Sequence, residues 1–174
     1  MNFKVIMHFI VMLFLLAGCK GVSGHKVKVS KGEDGFITVI ADKKQILVKN
    51  TMYSIKKGTD IQDSAGHNLD ISSLEIGMKA KVWYSGDMKE SMPAQADAKL
   101  IEIQTDISSL EEQKAITAAI NAAKKADSQQ FMVLKCSYLQ DQGVYWIEMM
   151  DRSNLDAAFV VTVDANSYEV LFHS

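Results

Sequence analysis

From Gly35 onward the apolar residues of this chain come in short runs, each closed by turn-forming residues, with one longer exception. That pattern dictates strands, because a strand hides one face at a period of two and needs only about four to eight residues. Strands are expected at 35–40, 45–48, 52–55 with a resumption at 59–61, 78–84 and 96–103. Asp42-Lys43-Lys44, the stretch 63–67 and Ser85-Gly86-Asp87 supply the turns. Residues 70–75, halted by Gly77, allow at most a turn or so of helix. Three strand regions, a short helix and two strands is the order of an OB-like barrel.

The exception covers residues 110–126, where Ile116, Ala119, Ile120 and Ala123 form a stripe at helical spacing. Strands are expected after it at 131–139, 144–150, 158–163 and 169–172. The fold class is therefore α+β, mainly antiparallel β. A small OB-like β-barrel over 33–104 is followed, over 107–174, by a helix packed on a three- to four-stranded antiparallel meander. Residues 104–107 hold no glycine or proline, so the halves are expected to pack together. The hexapeptide Asp-Ile-Ser-Ser-Leu-Glu occurs at 70–75 and again at 106–111. Both copies read as helix starts capped by Asp or Ser, with Ser109 and Glu112 at capping-box spacing.

The chain opens with a basic residue, Lys4, and a run at 5–16 that only His8 interrupts, followed by Leu16-Ala17-Gly18-Cys19. The run is shorter than the roughly 20 residues a spanning helix needs. It resembles a bacterial lipoprotein signal over residues 1–18, ending in a lipobox. The resemblance implies cleavage before Cys19 and a diacylglyceryl anchor on its thiol. The membrane is then the first partner, and the extracytoplasmic face of the cell membrane the location. Residues 20–32 carry Lys20, Lys26, Lys28 and Lys31 and no acid. The segment 19–32 is expected to be a tether, either a solvated linker or one drawn to an anionic leaflet. Residues 33–174 hold 14 Lys/Arg against 21 Asp/Glu. That acidic body argues against nucleic acid, which needs clustered cations. Cys136 has no partner within a chain lipidated at Cys19, and is expected to be a buried, inert thiol.

Gly35-Phe36-Ile37, the Leu74-x-x-Gly77-x-x-Ala80-x-Val82-Trp83-Tyr84-x-Gly86 run, and Glu90-Ser91-Met92-Pro93-Ala94-Gln95-Ala96 together resemble the YobA-like family of Gram-positive lipoproteins. That resemblance implies an OB-like domain of unknown function over 33–104. Residues 107–174 resemble PepSY-like domains more weakly, through Val163-Asp164-Ala165-Asn166-Ser167-Tyr168-Glu169-Val170. Tyr168 stands where that pattern has glycine. Such domains are associated with inhibiting or chaperoning extracellular proteases and with envelope regulation.

No catalytic motif is present, and His25, His67 and His173 lack metal-ligand spacing. Neither a metal nor a cofactor is expected, and an enzyme is not the expected reading. Two candidate binding surfaces remain. Alternation puts Lys79, Lys81 and Trp83 on one face of a strand, where Trp83 either stacks on a sugar or packs against the second half. The Glu90, Ser91, Pro93, Gln95 segment is either a contact loop or the shape that closes the barrel. The expected function is a non-enzymatic binding or regulatory module for an envelope or secreted protein. The alternative is a glycan or anionic wall-polymer module using the Trp83 face.

Overall fold

The computed structural model describes residues 28–126 and 128–173. The signal-like segment, Cys19 and most of the basic segment lie outside them. Among the described residues ten strands form two sheets. β1 (Val29–Ala41) pairs with β2 (Gln45–Val48), which pairs with β3 (Thr51–Ser54), all antiparallel. β3 then runs parallel to the start of β6 (Ala94–Ile103), and β6 returns through β5 (Lys79–Lys89) to β1. This closes a five-stranded barrel with the OB-like order expected. β4 (Asp60–Asp63) lies parallel along the far half of β6.

Two boundaries differ from expectation for identifiable reasons. β1 begins at Val29, inside the segment expected to be tether, because Val29, Ser30 and Lys31 pair with Ser85, Tyr84 and Trp83. The register shifts between Lys31 and Asp34, so a bulge at Gly32-Glu33 lets one strand serve both stretches. Ser85-Gly86-Asp87 is not a turn either. Gly86 takes φ +77°, a bulge conformation, and β5 continues to Lys89, opposite Gln95. The chain reverses at 90–93 instead.

The helix α1 (Ile107–Ala123) starts three residues before the expected Leu110. Asp106, not Ser109, is the cap: its Oδ1 accepts the Ser109 N–H at 3.1 Å and its Oδ2 accepts the Ser109 hydroxyl at 2.7 Å. The first copy of the hexapeptide uses Asp70 alike, accepting the Ser72 N–H at 2.8 Å, but yields only a 3₁₀ turn at Ile71–Ser73. The two leucines then part. Leu74 turns extended and enters the barrel core, whereas Leu110 stays helical and exposed.

α1 covers one face of a meander in the order β10-β9-β8-β7. Its strands are β7 (Phe131–Leu139), β8 (Val144–Asp151), β9 (Ala158–Asp164) and β10 (Val170–His173). Ala115, Ile116, Ala119 and Ile120 pack on Val133, Ile147, Met149 and Val161. Tyr168, in the position where the PepSY-like pattern has glycine, has φ +58° and carries its ring under the Lys114 ammonium, 5.2 Å from the centroid.

Adjacent residues of β1 serve different cores. Ile37 points into the barrel, and Phe36 points out into the core beneath α1. The helix rests on the 75–79 segment: Thr117 donates to the Ile76 carbonyl at 3.0 Å, Gln113 to Glu75 at 3.1 Å, and Lys79 to Glu112 at 2.8 Å. No helix among the described residues is long and apolar enough to cross a membrane.

Candidate functional site

The alternation along β5 is as the sequence requires: Ala80 and Val82 are fully buried, and Lys79, Lys81 and Trp83 are half-buried on the outer face. Their charges have partners, however. Lys79 binds Glu112 across the junction with α1, and its ammonium lies 5.7 Å from the Phe36 ring centroid. Lys81 stands 3.6 Å from Glu102 on the neighbouring strand. Trp83 is flanked in register by Lys31 and Leu100 and belongs to neither core.

Glu90 and Ser91 are exposed, Pro93 half-buried and Gln95 exposed. Ser91 donates to the Pro93 carbonyl at 2.5 Å, and the Met92-Pro93 bond is cis. The following amide, Ala94 N–H, donates to the Asn50 carbonyl at 2.9 Å, which starts the parallel β3–β6 pairing. This segment closes the barrel, and Gln95 borders a small polar hollow where Lys56 binds Asp97 at 2.6 Å.

An apolar concavity lies between the barrel and the second sheet, with a volume of about 350 Å³. That is the lower end of the range for small-molecule sites, about 300–1,000 Å³. The barrel side supplies Glu33 from the β1 bulge, Lys49 and Asn50 from the β2–β3 turn, and Met92 from the 90–93 reversal. The sheet side supplies Met132, Leu134, Met150 and Leu155. Met132 and Met150 are cross-strand neighbours. Met92 stands 64% exposed at the rim, and Leu134, at the β7 bulge, 42%. Asn50 Oδ1 is shut off from water with no hydrogen-bond partner. A buried acceptor without a donor is uncommon and needs a reason.

Sequence reasoning singled out none of these residues except through the 90–95 run, and it passed over Trp146. That ring lies on the sheet face opposite α1, alternating with the buried Tyr145 and Ile147, and the Lys135 ammonium is 5.7 Å from its centroid.

The perturbed titratable groups are structural in origin. Asp63 is held below the usual carboxylate range by the backbone N–H and side chain of His67. Asp70, Asp106, Asp151 and Asp164 are held low by hydroxyls, amides and N–H groups of their own caps and turns. Burial raises Tyr53, and burial followed by the Glu111 carboxylate raises Tyr145, whose hydroxyl donates to Glu111 at 3.2 Å. Burial also pushes the Cys136 thiol up to about 12, helped by Glu112. Among the described residues no three His, Cys, Asp or Glu side chains gather as a metal site.

Comparison with known proteins bears on the barrel alone. The model of an uncharacterised family, described as a protein of unknown function (DUF3221), matches residues 24–104. That span takes in the early start of β1 and ends with β6. No curated protein and no solved structure matches the chain.

Proposed function

We propose that the chain is an extracytoplasmic module, held to the cell membrane through a lipidated Cys19, that binds an envelope or secreted protein without catalysing a reaction. The observation that carries this reading is the apolar cleft between barrel and sheet, with the exposed Met92 at its rim, Met132 and Met150 in its floor, and a buried acceptor lacking a donor. Methionine is unbranched and polarisable, suited to surfaces that mould to a protein partner. The YobA-like and PepSY-like likenesses belong to the same proposal, the first over residues that the DUF3221 match also covers.

The polymer reading is less favoured. Two lysines beside Trp83 would have to grip an anionic chain, and both already face carboxylates. The test is retention of envelope proteins and of purified wall polymer on immobilised residues 20–174. A specifically retained protein is the expected result. Retention of polymer alone, lost in Trp83→Ala, overturns the reading. The anchor is tested separately: Cys19→Ala is expected to move the protein out of the membrane fraction, and persistence there would make the apolar segment itself the anchor.

A further inference from the structure

We infer that the cleft receives an aliphatic side chain from an extended peptide, and that the Asn50 side-chain oxygen accepts that residue's main-chain N–H. The inference rests on the binding reading above and specifies its contact. The floor is apolar, built from Met132, Met150 and Leu155, so the part that enters is apolar. The Asn50 oxygen, buried and unpartnered, calls for a donor beside that apolar part. That oxygen has no water-accessible surface as it stands, so an occupant reaches it by rotation about the last side-chain torsion of asparagine, which is soft.

Other ligand classes fit less well. A fatty acyl chain would fill the floor and offer Asn50 no donor. A sugar carries donors in excess, and an apolar lining would leave most of its hydroxyls unpaired. The rim carries one acid, Glu33, and one base, Lys49, so it favours a neutral ligand over an anionic polymer or a free carboxylate. A peptide unit with an aliphatic side chain is neutral, apolar at one end and a donor at the other. Its extended form also suits the place: β7 is the edge of its sheet, and the exposed Leu134 at its bulge borders the cleft. Strand addition beside a side-chain pocket is a recurring mode of peptide recognition.

The methionines provide the readout. Residues 20–174 carry seven: Met92, Met132 and Met150 line the cleft, and Met52, Met78, Met88 and Met149 do not. With methyl-labelled methionine, titration with N-acetyl-leucine methylamide is expected to shift the first three resonances and leave the other four. The analogue in which an ester oxygen replaces the leucine N–H, O-acetyl-leucic acid methylamide, is expected to bind about five- to tenfold more weakly, the loss of one hydrogen bond. In Asn50→Leu the amide and the ester are expected to bind equally.

Three results overturn the inference: no shift with the peptide probe, shifts confined to the other four methionines, or stronger shifts with decanoate or maltoheptaose. If the retained protein partner binds wild type and the rim variant Met92→Ser equally, the cleft assignment fails while the binding reading stands. Loss of that partner in both Met92→Ser and Asn50→Leu, with spectra showing both variants folded, supports the assignment.

Discussion

Gly77 lies directly beneath Gln113 of α1: a β-carbon at Gly77 would come within 2.6 Å of the Gln113 carbonyl oxygen and 2.5 Å of the Thr117 hydroxyl. The helix can therefore lie on the barrel only because residue 77 has no side chain. The same residue takes φ +87°, which costs other residues roughly 1–2 kcal/mol. The sequence suggests a glycine that stops a short helix. In the structure the 3₁₀ turn has already ended at Ser73, and Gly77 is the contact that couples the two halves.

Gly77→Ala is accordingly expected to lower unfolding stability by at least about 2 kcal/mol, strain and clash together. Urea unfolding followed by tryptophan fluorescence checks this. Wild-type stability in that variant would mean that the helix does not sit on Gly77.

How much was legible follows from where each signal lives. The two faces of β5 could be read because strand alternation is local: Ala80 and Val82 inside, Lys79, Lys81 and Trp83 outside. The partners of those lysines could not, because Glu112 reaches Lys79 only once α1 has crossed Gly77. The helix start was misplaced because two overlapping caps were available, and Asp106, which takes both Ser109 groups, prevailed. The cleft was illegible for the strongest reason. Met92 and Met132 are distant in the chain and border one cavity only after two sheets have packed.

Tyr168 illustrates a local rule overridden by packing. Its φ of +58° strains a tyrosine, yet the ring packs against the core beneath α1 and under Lys114. Removing the ring costs on the order of 1.5–3 kcal/mol, more than the strain releases. Tyr168→Gly is expected to be destabilised by about 1 kcal/mol, and Tyr168→Ala, which keeps the strain, by about 1 kcal/mol more. Thermal melts of the pair check the order; a Gly variant no more stable than the Ala variant would remove strain from the account.

Cys136 faces the Lys79–Glu112 pair from β7, and its burial combined with the Glu112 charge works against the thiolate. Raising a thiol from 9.0 to about 12 cuts its thiolate fraction at pH 8 by roughly three orders of magnitude. The folded protein is expected to react with an aromatic disulfide reagent far more slowly than the protein in denaturing urea. Glu112→Gln is expected to speed the folded reaction modestly. Equal rates folded and unfolded would place the thiol in contact with water.

The acid limb of stability follows from the caps. Asp63, Asp70, Asp106, Asp151 and Asp164 all have folded pKa values below their unfolded ones, near 3.9. Groups depressed on folding stabilise above the unfolded pKa, and that contribution is lost as pH falls through the folded value. Stability is thus expected to be level from neutral pH to about 4, then to decline. Asp106→Asn separates charge from capping, since asparagine caps a helix about as well as aspartate. The variant is expected to resemble wild type most closely at low pH, where Asp106 takes up its proton in the unfolded chain before it does in the folded one and the charge's contribution shrinks, and to decline less steeply below pH 4. Urea midpoints at pH 7, 4 and 2.5 decide it: parallel curves for variant and wild type would mean that Asp106 titrates no differently in the folded chain.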